Sequence, residues 1–194
     1  MLDDFSELGM AERIAIRRQS LSDFLTFTRI WFRVLQGSKF ITNWHHKVFA
    51  DAIDDIVYRR RPSRNIVINC PPGSTKTEIY SIHFPAYLAA LVSNGSIHKF
   101  RNLNLSFSDA LTTRNSIRTR DIIASSEFQS LFDSKFGVNQ ASEWNLIDSR
   151  GKVVCETISR SVGGQVTGAR GGYIGKEYSG HLLLDDPDKI SDML

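Results

Sequence analysis

Around residue 65 the chain changes character. Residues 65–70 read Asn-Ile-Val-Ile-Asn-Cys. A short β-branched run bounded by turn residues predicts a buried strand. Pro71-Pro72-Gly73-Ser74 follows as a turn. Residues 76–92 then read as a helix, with Pro85 disturbing it. Strand, turn and helix in that order open an α/β fold, because parallel strands need helical crossovers. The rest of the chain continues the theme. Residues 101–107 alternate polar and apolar and predict a strand, and residues 109–124 predict a helix with Ser108 as its cap. A short helix is expected at 126–132. Residues 143–148 and 151–159 predict a hairpin across Ser149-Arg150. After a glycine-rich segment, 163–175, an apolar strand at 181–184 ends in Asp185-Asp186-Pro187.

Upstream of residue 65 the periodicity is helical. Between residues 6 and 35, apolar side chains recur at Ile14, Leu21, Phe24, Leu25, Phe27, Ile30, Trp31 and Val34. Gly37 is the expected stop. A second helix is expected over 43–60, burying Trp44, Val48, Ala52, Ile53, Ile56 and Val57, with Pro62 ending it. The expected organisation is a helical subdomain over 1–60, then an α/β domain with a largely parallel sheet over 61–194.

A chain of 194 residues with 41% hydrophobic and 23% charged residues can bury a core, which excludes disorder. The net charge of +3 is too mild to name a partner. Basic residues do cluster, at Arg17-Arg18, at Arg59-Arg60-Arg61 with Arg64, and at Arg114, Arg118 and Arg120; each cluster alone reads as a solvated face. Cys70 and Cys155 lie far apart with no CxxC neighbour, so neither a zinc site nor a disulfide framework is predicted. No apolar run approaches the roughly 18 residues of a membrane span. The acidic start, MLDDFSEL, lacks the basic segment of a signal peptide. A soluble, cytoplasmic protein is expected.

Two strings carry chemistry. Lys76 and Thr77 sit where a turn gives way to a helix, the place where backbone amides cradle phosphate, a Lys reaches the outer phosphates and a hydroxyl holds Mg²⁺. The glycine pattern departs from the regular motif: Cys70 and Thr75 stand where glycines belong, and Gly73 alone lies inside the loop. The bland reading is a strand-to-helix turn with a surface lysine. Leu182-Leu183-Leu184-Asp185-Asp186 reads as a strand delivering one carboxylate to Mg²⁺ and a second to an attacking water. Its bland reading is a solvated turn. Together, in this order and on these elements, the strings are far more specific than either alone.

At these residues the chain resembles the large subunit of tailed-phage terminases, the DNA-packaging motor. Trp44-His45-His46 looks like the family's adenine-side motif, and Asn69-Cys70-Pro71-Pro72-Gly73-Ser74-Thr75-Lys76-Thr77-Glu78 like its phosphate-loop variant. Phe84-Pro85-Ala86-Tyr87, Ser106-Phe107-Ser108-Asp109-Ala110-Leu111, Arg120-Asp121-Ile122-Ile123 and Phe128-Gln129-Ser130-Leu131-Phe132 continue the match. So do Gly163-Gly164-Gln165-Val166-Thr167-Gly168-Ala169-Arg170-Gly171-Gly172 and Asp185-Asp186-Pro187-Asp188-Lys189. The resemblance runs from about Phe24 to the C-terminus.

The resemblance implies a P-loop NTPase core using ATP and Mg²⁺. Gly73, Ser74, Thr75 and Lys76 would bind phosphate, and Thr77 and Asp185 would hold the metal. Asp186 would act on the water, Trp44 and His45 would lie near the base, and Arg170 would serve as an arginine finger. Implied partners are double-stranded DNA, the terminase small subunit, the portal protein and further copies of the chain in a ring. The chain reaches Leu194 without the family's nuclease domain. The expectation is therefore a truncated packaging ATPase, without nuclease activity and with weak or no turnover. Two alternatives stay open: another P-loop ATPase of helicase type, and a catalytically silent prophage remnant that binds DNA or serves assembly.

Overall fold

The computed structural model describes Phe5, residues 8–164 and residues 166–187. Gln165 in the glycine-rich string and the Asp188-Lys189 end of the last string lie outside the described residues, as does the start of the expected first helix. The molecule is a mixed α/β structure with one five-stranded sheet, ordered β2-β3-β4-β1-β5. The strands are β1 (Phe100–Ser106), β2 (Lys135–Asn139), β3 (Glu143–Ile147), β4 (Val153–Ser161) and β5 (Leu182–Asp185). β4, β1 and β5 run parallel, and β3 runs antiparallel to both of its neighbours, so all but β3 point the same way. The β3–β4 pair is the expected hairpin; β2 is an additional edge strand.

The helices are α1 (Met10–Ser20), α2 (Phe24–Gln36), α3 (Trp44–Val57), α4 (Phe84–Ser93), α5 (Asp109–Ala124) and α6 (Ser126–Phe132). The stretch expected as one helix over 6–35 is two. Asp23 stands in extended backbone and its carboxylate accepts the Thr26 amide at 2.8 Å, which caps α2 and breaks the path from α1. Gly37 closes α2 at φ 64, the left-handed conformation open to glycine. Ser108 caps α5 as expected.

The face expected to be buried on α3 needs correction at its first half. Ala52, Ile53 and Val57 are buried as expected, but Trp44 and Val48 are exposed, and the interior takes His46, Phe49, Ala50 and Asp54 instead. Both stripes carry apolar residues at helical spacing. The packing selects the one whose rings find neighbours: Phe49 against Tyr80 at 5.5 Å and His46 against Phe40 at 4.8 Å.

A second correction concerns residues 65–70. They belong to no strand, and Val67 is 94% exposed. β-propensity describes a fit to a half-buried pleated surface and needs a neighbouring edge about 4.8 Å away. Here the segment faces the open edge of β5 across a groove of about 670 Å³, which Ile66, Ile68, Leu183 and Asp185 help to line.

The helix expected over 76–92 forms, with a change of winding. Glu78–His83 is a π-helical turn leading into α4, whose first turn contains Pro85. Pro85 has no amide to offer the Ser81 carbonyl, as an unbroken α-helix would require. That carbonyl, with the Ile82 carbonyl, instead accepts the Thr119 hydroxyl of α5 at 3.4 and 3.0 Å. Pro85 thus sets where the winding changes.

The core lies between the helices and one face of the sheet. Phe100 and Cys155, register partners on β1 and β4, belong to the same buried cluster as α2, α3, α4 and α6. This core is continuous across residue 60. Trp31 of α2 meets Phe128 of α6 at 5.0 Å, and Phe27 meets Tyr87 of α4 at 5.1 Å. On the opposite sheet face, Leu182 and Leu184 are about half exposed. In the helical layer Asp54 is buried, and its carboxylate accepts the Phe24 amide at 3.1 Å and the Tyr87 hydroxyl at 3.4 Å. Among the described residues, no helix is long and apolar enough to cross a membrane.

Candidate functional site

The parallel strands deliver their C-terminal ends to one rim of the sheet. Ser106, Ser161 and Asp185 end β1, β4 and β5 there, and ligands of open α/β sheets bind at such rims. The junctions are tied together. The Val162 amide donates to the Ser106 carbonyl at 2.8 Å, the Ser161 amide to Asp109 Oδ1 at 2.7 Å, and the Phe107 amide to the Asp186 carbonyl at 3.1 Å. The last bond holds the Asp185-Asp186 turn against the end of β1.

The loop at residues 71–77 stands over this rim. Gly73 has φ 81 and Thr75 has φ 61, so two alternate residues are left-handed. Alternation of this kind curls successive amides toward a common point, an anion-binding geometry. Helical backbone starts at Lys76, and the first backbone bond back into the loop runs from the Ile79 amide to the Thr75 carbonyl at 3.1 Å. The amides at the helix start precede that bond and have no intrahelical acceptor. Ser74 Oγ donates to Cys70 Sγ at 2.9 Å. The left-handed conformation at a β-branched residue costs on the order of 1–3 kcal/mol, which is why a glycine was expected at position 75.

The two chemical strings meet. Lys76 Nζ donates to Asp186 Oδ1, an ion pair across 110 positions of sequence. This hydrogen bond raises the Lys76 pKa, with Asp186 and Asp185 adding charge attraction. Asp185 is engaged by the buried Ser81, whose hydroxyl donates to Oδ2 at 2.8 Å. Thr77, expected to hold the metal with Asp185, lies just after the helix start in right-handed conformation. Ser81 lies one turn beyond it and makes the bond. Glu78 next to the loop is clamped by Arg118 of α5 at 2.7 Å and fixes the helix start.

The remaining expected residues sit further out. Trp44 is 74% exposed at the start of α3, with the His45 ring 5.8 Å away. Arg170 is exposed and does not line the groove beside Lys76. The glycines around it have a structural task. The Gly172 amide donates to the Arg101 carbonyl at 2.8 Å, and a Cβ on Gly171 would stand 2.4 Å from the His181 carbonyl oxygen. Gly180, at φ 117, is tighter still: its Cβ would stand 1.9 Å from the Arg101 carbonyl oxygen. Gly180→Ala is expected to cost about 2 kcal/mol of stability, because the side chain meets backbone in a conformation only glycine favours. A denaturant midpoint unchanged from the parent would contradict this packing.

Two side chains of the site escaped sequence reasoning. His46 stands in the Trp44-His45-His46 string without an expected role of its own and is 5% exposed, with Nε2 2.7 Å from Thr75 Oγ1. Ser81 carried a usable signal, since it lies four residues after Thr77 and shares its helix face. The basic clusters are partly spent internally: Arg61 pairs with Asp55, Arg118 with Glu78, and Arg120 bonds Asn139. Set against known protein families, curated proteins and solved structures, the chain matches none.

Proposed function

We propose that this chain is the ATPase part of a DNA-packaging motor of the terminase large-subunit type, with a P-loop NTPase core that binds Mg²⁺·ATP where Lys76 meets Asp185 and Asp186. One observation carries the reading: Lys76 and the paired carboxylates, 110 positions apart, are joined at the C-terminal rim of the sheet beside a left-handed loop and a helix start. A strand-end carboxylate pair facing a loop lysine is the arrangement phosphoryl transfer uses.

In this reading Lys76 exchanges Asp186 for the outer phosphates, and the amides at the helix start bind the remaining phosphate oxygens. Asp186, once released, orients the attacking water. The donor set fits Mg²⁺. Asp185, Thr77 and Ser81 offer a carboxylate and two hydroxyls, hard oxygen donors. Among the described residues no group of three His, Cys, Asp or Glu side chains is placed to hold a metal. Magnesium that shares its shell with phosphates and waters needs only one or two carboxylates. When bound, the ion neutralises charge on the phosphates. Double-stranded DNA, the small subunit, the portal protein and neighbouring copies in a ring are the partners of this reading, in the host cytoplasm. Arg170, on its exposed loop, is the residue this reading assigns to a neighbouring copy's ATP.

Steady-state phosphate release, with and without duplex DNA, tests the motor. Release stimulated by DNA supports it; affinity for ATP without release supports the silent remnant instead. Asp185→Asn tests the metal role. In the parent, Mg²⁺ is expected to tighten ATP binding by about tenfold or more, and the variant should lose that dependence. Identical magnesium dependence in both proteins would contradict the assignment.

A further inference from the structure

His46 is the one member of the Trp44-His45-His46 string that the structure buries, and its ring ends at the phosphate loop. The Asn43 amide, at the start of α3, donates to His46 Nδ1 at 2.9 Å. A neutral imidazole that accepts at Nδ1 carries its proton on Nε2. That nitrogen is 2.7 Å from Thr75 Oγ1, and the Thr75 hydroxyl donates onward to the Ser74 carbonyl at 2.7 Å. A directed chain of hydrogen bonds therefore runs from the Asn43 amide through His46 and Thr75 to the loop backbone. The ring is pinned between Phe40 at 4.8 Å and His45 at 4.0 Å. Burial, with His45 alongside, lowers its pKa, the direction that favours the neutral ring the Asn43 bond requires.

Thr75 needs such a hold. It stands at φ 61, where a β-branched residue does not settle unaided. Its carbonyl receives the first backbone bond from the helix, so its conformation sets how the amides of Lys76 and Thr77 are presented. A glycine would reach the same backbone without help.

We propose that His46 is a positioning residue for the phosphate loop: through Thr75 Oγ1 it holds the left-handed turn that a glycine would adopt unaided, and so makes phosphate affinity depend on α3. The inference rests on reading this loop as the phosphate site. It predicts a dependence confined to threonine at position 75. The competing role for His46, capping and packing α3, carries no such condition.

A double-mutant cycle separates the two. The affinity of Mg²⁺·ATP is measured by calorimetry for the parent, His46→Ala, Thr75→Gly and the double variant. His46→Ala is expected to weaken binding about tenfold with Thr75 present and less than about twofold in the Thr75→Gly background. Thr75→Val, which removes the hydroxyl and leaves α3 untouched, should reproduce the His46→Ala loss. Equal losses in both backgrounds, or a Thr75→Val protein that binds like the parent, would overturn the proposal. The amide resonances of residues 75–77 give a second readout without nucleotide. They should move on His46→Ala only when Thr75 is present. If the parent binds no Mg²⁺·ATP, the phosphate-site reading falls, and the amide resonances still decide whether His46 positions the turn.

Discussion

Trp31→Ala is expected to destabilise the protein by about 3–5 kcal/mol, the range for truncating a fully buried Trp. Trp31 has no exposed surface and sits among the rings of Phe5, Phe27, Phe128 and Phe132, all within about 6 Å between centroids. Phe128 and Phe132 belong to α6, so the indole joins α2 to the layer beside the sheet. Its removal leaves a cavity bounded by stiff aromatic walls that collapse poorly. A domain of this size has about 5–15 kcal/mol to lose, so the variant should sit close to unfolding at 37 °C. Since the core is continuous from α2 to α6, urea should unfold the parent in one transition. A shift of less than about 1 kcal/mol, or a separate early transition for α1–α3, would contradict this account of the core.

The second large effect is electrostatic. Burial raises the Asp54 carboxyl to about 6 from 3.8, partly offset by the Phe24 amide and reinforced by the charge of Asp23. The folded chain therefore holds this proton more tightly than the unfolded chain. The contribution of Asp54 is most favourable below about pH 4, declines as pH rises to about 6, and is flat above. At 1.36 kcal/mol per unit, the span is about 3 kcal/mol. Desolvated histidines act in the opposite sense: the His181 ring is pushed down to about 3, and those of His83 and His46 are also lowered, so acid weakens the fold through them. The total pH profile mixes both signs. Subtracting the profile of Asp54→Asn isolates the acid. Asparagine keeps an acceptor for the Phe24 amide and has no charge to desolvate. Relative to the parent, Asp54→Asn should gain about 3 kcal/mol between pH 4 and pH 7. A difference that does not vary with pH would show that Asp54 titrates normally.

Much of the fold was legible because local chemistry and tertiary structure agree. Gly37 closes α2 and Ser108 caps α5 where expected, whereas the Asp23 cap that divides α1 from α2 interrupts a stretch whose apolar spacing reads as one helix. Leu182-Leu183-Leu184-Asp185 forms a strand. What was illegible depended on partners distant in sequence. Residues 65–70 have every local property of a strand, but a groove separates them from the edge of β5. α3 carries two apolar stripes, and only the positions of Phe40 and Tyr80 decide between them. β1 alternates Asn102, Asn104 and Ser106 with Leu103 and Leu105, which marks a strand. Alternation would leave the polar residues outside, yet Asn102, Asn104 and Ser106 are buried along with Leu103 and Leu105, so β1 is covered on both faces. At the site, the sequence pointed to Lys76, Asp185 and Asp186, which the fold brings together. It gave His46 no role, because the value of that side chain depends on a loop 29 positions further on.

The central claim is that Lys76 and the two carboxylates form a phosphate site. Titration calorimetry of the parent and of Lys76→Ala with Mg²⁺·ATP tests it most directly. A lysine charge on the outer phosphates is worth about 1.4 kcal/mol or more, at least tenfold in affinity. The parent should bind and the variant should bind at least about tenfold more weakly, with the fold intact by circular dichroism. Equal affinities, or no binding by the parent, would contradict the claim.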